Sequence, residues 1–271
     1  HRINAVMLLN RQFTLLGAQK DPNRTPNTAR VLSNPSLFVL LLAFAFLSTV
    51  AQGQDTPYPI AYAAENILSV TLHPQGLPAE LPFIALDDGI LKFQFDDLSE
   101  RFRTWEMRWQ HCTFDWYDSP DLTASDCIQG FTSLSLDQAE SSFNTRVGYT
   151  HFAAQFPNDL MRFDKSGNYI LEVVDPSEPD TPLILRRFVV YENLVDIEMT
   201  VQEAKSIPLK RSHQELDFAI THSPDRFVIQ DAYDALQTTL LQNGRWDAAI
   251  SSLEPVFVKG EEVVFSQQGE N

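Results

Sequence analysis

The chain has 271 residues, of which 44% are hydrophobic and 11% aromatic, with 20 basic against 36 acidic side chains and a formal net charge of −16. That is enough apolar material for one large or two moderate cores, and too much for a disordered or collagen-like polymer. A surface this acidic repels nucleic acid and anionic lipid, so partners of those two classes are excluded as charge-driven ligands.

Residues 1–36 carry Arg2, Arg11, Lys20, Arg24 and Arg30 and read as an N-terminal extension that takes no part in the fold. Residues 37–47 (LFVLLLAFAFL) then form an unbroken apolar run, followed by small and polar residues to Gln54. A basic flank, an apolar core and a small-x-small site at Ala51-Gln52-Gly53 make 37–53 a secretory signal peptide. The other readings are a buried helix and a membrane anchor. Eleven residues fall short of the roughly 20 that a bilayer needs, and Pro35, Ser48 and Thr49 suit neither. With 1–53 set aside, five of the basic residues and one of the acidic residues go, so the remainder is still more acidic.

Residues 54–65 read as an extended linker. A first domain is expected over 66–193, where short β-branched and aromatic runs alternate with Pro, Asp, Asn and Ser. Strands are predicted at 66–72 (NILSVTL), 91–95 (LKFQF), 104–112 (TWEMRWQHC), 149–156 and 183–191 (LILRRFVVY). In 104–112, Trp105, Met107 and Trp109 share one face while Glu106, Arg108 and Gln110 share the other, the period of two that marks a half-buried strand. Asp164 and Gly167 precede Tyr169, which opens an apolar strand, the pattern of a tyrosine corner in immunoglobulin-like sandwiches. The strand at 183–191 is expected to pair with it as a hairpin.

A second domain is expected over 194–271, with strands at 195–201, 215–221, 236–242, 256–258 and 263–265, and a turn at Asn243-Gly244, where both residues tolerate positive φ. About eighty residues are few for a sandwich, so this domain is expected to be incomplete. The fold class is therefore all-β, as two consecutive immunoglobulin- or fibronectin-like sandwiches.

Cys112 and Cys127 flank an Asp/Ser/Pro-rich segment. They either bridge or stay as two reduced thiols at strand ends. The oxidising compartment implied by a signal peptide favours the bridge, which would close a loop worth about 3 kcal/mol.

Catalytic patterns are absent: there is no GxSxG, HExxH or P-loop spacing, and the six histidines are scattered. Asp87-Asp88, Asp96-Asp97 and Glu261-Glu262 match no fixed carboxylate geometry, and solvated turns explain them in so acidic a chain. Asp115, Asp118, Asp121 and Asp126 do not follow the spacing of a calcium loop. No enzyme, cofactor or metal is expected. Asn243, Gly244, Arg245 and Trp246 form the candidate interface, because an aromatic beside a turn anchors a partner or a sugar, or else fills a core.

Several stretches together resemble the N-terminal region of the type IX secretion system plug protein family of Bacteroidetes-type bacteria. They are Phe95-Asp96-Asp97-Leu98, His111-Cys112, Trp116, Gly130-Phe131, Ser142-Phe143-Asn144-Thr145 with Tyr149-Thr150-His151, and Phe156-Pro157-Asn158. Ser166-Gly167-Asn168-Tyr169, Arg187-Phe188, His213-Gln214-Glu215 and Leu241-Gln242-Asn243-Gly244-Arg245-Trp246 continue the series in order. In that family the Cys corresponding to Cys112 usually stands alone, so Cys127 is a departure. The resemblance implies a non-catalytic periplasmic protein, peripheral to the outer membrane rather than spanning it, that occludes the periplasmic opening of the outer-membrane translocon. The competing reading is a carbohydrate-binding or glycosidase-accessory sandwich that stacks a sugar on Trp246 or Trp116.

Overall fold

The computed structural model describes residues 2–9, 14–21, 57–99, 103–204, 207–208, 210 and 214–266. The signal peptide expected at 37–53 lies outside the described residues. Arg2–Leu9 (β1) and Thr14–Asp21 (β2), expected outside the fold, are paired antiparallel strands. The stretch read as a linker joins the fold early: the Tyr58 N–H donates to the Trp116 carbonyl at 2.9 Å, and Ala61–Ala63 (β3) already pairs within the first sandwich.

Alternation builds the first sandwich. Ile67–Pro74 (β4), Phe83–Ala85 (β5), Leu91–Asp97 (β6) and Glu106–Cys112 (β7) follow in order. In β6 the buried residues are Leu91, Phe93, Phe95 and Asp97, every second position, as a strand with one face in a core requires. Trp105, Met107 and Trp109 are each 2% exposed or less, on the face that their spacing predicts. A one-turn helix, Ala124–Cys127 (α1), leads into Ile128–Gly130 (β8), Ser133–Ser135 (β9) and Ala139–Ser141 (β10). Thr150–Phe156 (β11), Met161–Phe163 (β12), Gly167–Asp175 (β13) and Glu178–Tyr191 (β14) complete the unit.

One sheet has the order β10-β11-β6-β4. The facing sheet runs β3-β14-β13-β7-β9, with β5 lying parallel to β14, and β8 and β12 form a separate pair. The expected hairpin is β13 with β14, from Gly167↔Val190 onward. Between the layers lie Phe93, Phe95, Trp105, Trp109, Phe156, Tyr169 and Phe188. The Tyr169 hydroxyl donates to the Lys165 carbonyl at 2.7 Å, which is the tie expected of a tyrosine corner.

The second sandwich begins at Val195–Glu203 (β15) and Gln214–His222 (β16). Ala232–Ala235 (α2) is capped by the Asp231 carboxylate, which accepts from the Tyr233 and Asp234 N–H groups. Leu236–Gln242 (β17), a 3₁₀ turn at Trp246–Ala248, Ile250–Ser251 (β18), Phe257–Lys259 (β19) and Glu262–Ser266 (β20) follow. One sheet is β15-β16-β20-β19 and the other β18-β17-β1-β2, in which β1 runs parallel to β17. An open strand edge presents unpaired N–H and C=O groups, and β1 supplies their partners along β17. The core between the layers includes Ile197, Phe218, Ile220, Leu236, Leu240 and Phe265.

The sandwiches share a boundary. In β13 and β14, residues such as Tyr169, Leu171 and Phe188 face the first core, while Ile170, Leu185 and Val189 face outward and are nevertheless buried. They are covered by Trp116, Leu241 and Trp246. A strand buried on both faces reads as a near-continuous apolar run, which explains YILEVV and FVVY.

Candidate functional site at the junction of the sandwiches

The turn after β17 makes the junction. Asn243 (φ 52°) and Gly244 (φ 70°) adopt the left-handed conformation that their residue types favour. A Cβ on Gly244 would lie 2.8 Å from Leu81 Cδ2, so a side chain here would have to push aside the end of Leu81 in the first sandwich. The Asn-Gly pair does not close a two-residue hairpin. It opens a longer connection to β18, whose pairing is Leu240↔Ile250 and Thr239↔Ser251.

That connection directs Trp246 inward. Its ring meets Trp116 edge-on at 5.0 Å and 87°, and Phe83 at 6.1 Å and 76°, both favourable edge-to-face geometries. On Trp116 lies the Arg187 guanidinium, 4.4 Å from the ring centroid. Arg187 also donates through Nη2 to the Tyr58 carbonyl, and its buried Nε has no hydrogen-bond partner. Burial lowers the guanidinium's pKa from its usual value to about 10. Trp116 holds φ 67°, unusual for so bulky a residue. The loop hydrogen bonds that fix it are Trp116 N–H to Thr113 O at 3.0 Å and Thr113 N–H to Tyr117 O at 2.8 Å.

Of the expected interface residues, Arg245 faces solvent and pairs with Asp247 at 2.5 Å, whereas Trp246 is half-buried against the first sandwich. Trp116 is 4% exposed beneath Arg187 and Trp246, which leaves it no face for a sugar ring. Beside the junction is a cavity of about 470 Å³, walled by Leu77, Leu81, Phe83, Ile84, Ile90 and Tyr191, with Glu80 and Asp88 also lining it.

The expected disulfide is not formed: Cys112 and Cys127 are both free and buried. Cys112 lies on the outward face of β7, packed with Ile170 and Trp116, while Cys127 lies in the core between the sheets with Trp105 and Trp109. The sheet itself separates them, and strand parity decides it, because Cys112 is out of phase with Trp105, Met107 and Trp109. Burial pushes the Cys112 thiol up to about 12, with Asp118 adding to the shift. Burial likewise raises Cys127, to about 11. Neutral, buried thiols are poor nucleophiles and poor ligands.

Several other polar groups are engaged in local hydrogen bonds. His111 Nδ1 lies 2.6 Å from Ser119 Oγ, and the ring meets Tyr169 edge-on at 5.0 Å. His151 Nδ1 lies 2.7 Å from Asp96 Oδ1. Of the loop aspartates, Asp118 accepts from the Tyr58 hydroxyl at 3.0 Å and Asp126 closes the capping box of α1 with Thr123. Among the described residues no group of three or more His, Cys, Asp or Glu side chains could hold a metal, and no helix is long and apolar enough to cross a membrane.

Sequence reasoning singled out Trp246 but missed Phe83, which its ring meets, as well as Leu81 against Gly244 and Arg187 over Trp116, all far from it along the chain. The one available signal was the outward parity of Ile170, Leu185 and Val189, apolar side chains that need a cover.

Residues 67–192 match the family model described as type 9 secretion system plug protein 1st domain. The chain is also similar to the crystal structure of a hypothetical protein from Parabacteroides merdae, with a TM-score of 0.73 and 25% identity over 78% of this chain and 53% of that one. The chain thus spans about half the length of that relative. No curated protein matches the sequence.

Proposed function

With residues 67–192 matching the first domain of the type 9 secretion system plug family, we propose that the chain is a non-catalytic periplasmic protein that occludes the periplasmic opening of the outer-membrane translocon. The observation that carries this reading is the family match from β4 to the end of β14 in the first sandwich. Its physical requirements are a body that does not deform under load and a surface that releases. The junction supports the first, because Trp246, Leu241 and Gly244 tie the second sandwich to the outer face of the first. The acidic surface supports the second: a net charge of −16 keeps the protein soluble and peripheral to anionic lipid.

The test is twofold. Affinity-tagged full-length protein is purified from detergent-solubilised outer membrane, and the translocon is expected to come with it. Deletion of the protein is expected to raise the permeability of the outer membrane to large solutes that the translocon pore admits. Unchanged permeability together with no recovered translocon would refute occlusion.

A further inference from the structure

Beside the junction, the cavity of about 470 Å³ joins apolar walls to carboxylates. Two connections build it, 75–82 between β4 and β5 and 86–90 between β5 and β6, with Tyr191 at the end of β14 also in the wall. Backbone hydrogen bonds hold these segments. Gln75 N–H donates to the Ile90 carbonyl at 2.8 Å, Leu86 N–H to the Tyr191 carbonyl at 2.9 Å and Leu77 N–H to the Pro74 carbonyl at 3.0 Å. A Cβ on Gly89 would lie 2.3 Å from Ile84 Cβ and 2.8 Å from the Ala85 nitrogen, so the second connection is folded as tightly as a glycine allows. The space is preformed, which spares a ligand the cost of ordering it.

Its volume falls in the range of small-molecule sites, roughly 300–1,000 Å³, and its lining has their make-up, apolar side chains with a few polar groups. Phe83 and Ile84 are buried in the wall, whereas Leu77 and Ile90 are 54% and 37% exposed, apolar surface that a bound molecule would cover.

Charge selects the molecule. The charged residues of the lining are Glu80 and Asp88, one from each connection, and no lysine, arginine or histidine is among them. Both carboxylates are exposed, and neither is held by a hydrogen bond or ion pair among the described residues. The Asp88 charge reaches the wall: burial raises the Tyr191 phenol above its ordinary value, and Asp88 adds to the shift. Acidic side chains are common on this chain. Here they rim a preformed apolar space, and that combination discriminates. An anion entering it meets two like charges, and a cation two opposite ones, in a setting less screened than bulk water.

We propose that this cavity binds a small organic cation, an amine or guanidinium whose apolar body packs against Leu77, Leu81, Phe83 and Ile90 while its charged end stays at the rim with Glu80 and Asp88. The same carboxylates reject phosphorylated and carboxylated ligands. The site depends on neither occlusion nor the translocon, so its failure leaves the function proposed above untouched.

The experiment titrates the full-length protein calorimetrically with 2-phenylethylamine, 2-phenylethanol and 3-phenylpropionate, probes of similar shape with a positive, a neutral and a negative end. The amine is expected to bind with a dissociation constant of roughly 0.1–1 mM, about tenfold tighter than the carboxylate. In the Glu80→Gln, Asp88→Asn double variant that preference is expected to vanish with thermal unfolding unchanged, since both side chains are exposed. Ile90→Trp, which places an indole at the cavity, is expected to abolish amine binding. Methyl signals of Leu77, Ile84 and Ile90 in the unaltered protein locate the bound amine independently of any variant, and are expected to shift on its addition. Equal affinity for amine and carboxylate, a preference that survives in the double variant, unshifted methyl signals, or no amine binding up to about 10 mM would each overturn the proposal.

Discussion

Tyr169 shows how one hydroxyl can hold a strand in place. Its ring stacks on Phe188 at 5.4 Å inside the first core while its OH reaches the Lys165 carbonyl at 2.7 Å. Tyr169→Phe keeps the packing and leaves that carbonyl unpaired, so a loss of about 1 kcal/mol is expected, read as a lower urea midpoint at constant m-value. The two thiols supply a pH dependence. Their ordinary value is 9.0, and folding raises them to about 12 and about 11. Well below that ordinary value both states hold both protons and stability does not change on their account. Above it the unfolded chain ionises first and binds fewer protons, so stability falls as pH climbs from 9.0 towards about 12. Urea midpoints across that range should decline, and the decline should be shallower in the Cys112→Ala, Cys127→Ala double variant. Thiol counting on unreduced, denatured protein should return both thiols free.

At the scale of elements, β17 is the strand that joins the two units. Leu240 enters the second core and Leu241 the junction with the first, so one strand serves two cores through its two faces. The turn beyond it carries Trp246 to Trp116. Trp246→Ala removes both edge-to-face contacts and is expected to cost about 2 kcal/mol, below the range for a fully buried tryptophan because the ring is only half-buried. Calorimetry should resolve a single unfolding transition into two as the sandwiches uncouple. Gly244→Ala tests the same contact from the backbone: positive φ and the 2.8 Å approach to Leu81 should destabilise by about 1–2 kcal/mol.

For the whole molecule, the junction decides whether the two sandwiches move as one body. Trp246→Ala changes how they move together, so on the proposed function it should weaken occlusion of the translocon, read as a higher permeability of the outer membrane to large solutes. The cavity bounded by Leu77, Leu81 and Ile90 shares its Leu81 wall with Gly244, so filling it should stiffen the same boundary.

Local physics made much of this protein legible before its fold. Alternation in β6 and β7, the Asp-Gly-Tyr approach to β13 and the positive φ of Asn243-Gly244 depend on near neighbours, and a linear reading captures near neighbours. The all-β class follows from them. The small strands β3, β5, β8, β9, β10 and β12 were not legible, because such short ladders draw their stability from the sheets they join. Nor was the state of the cysteines: a compartment argument favoured a bridge, but a bridge needs two side chains on one side of a sheet, and β7 places Cys112 on the other side from Cys127. Trp246 likewise needed the tertiary structure to find Trp116 and Phe83. The sequence by itself determined the longer strands other than β1 and β2, which it placed outside the fold, together with the turns and the corner, since these are set by side-chain period and backbone preference. Only the tertiary structure decided which buried faces meet, because contacts between distant residues depend on how the sheets stack.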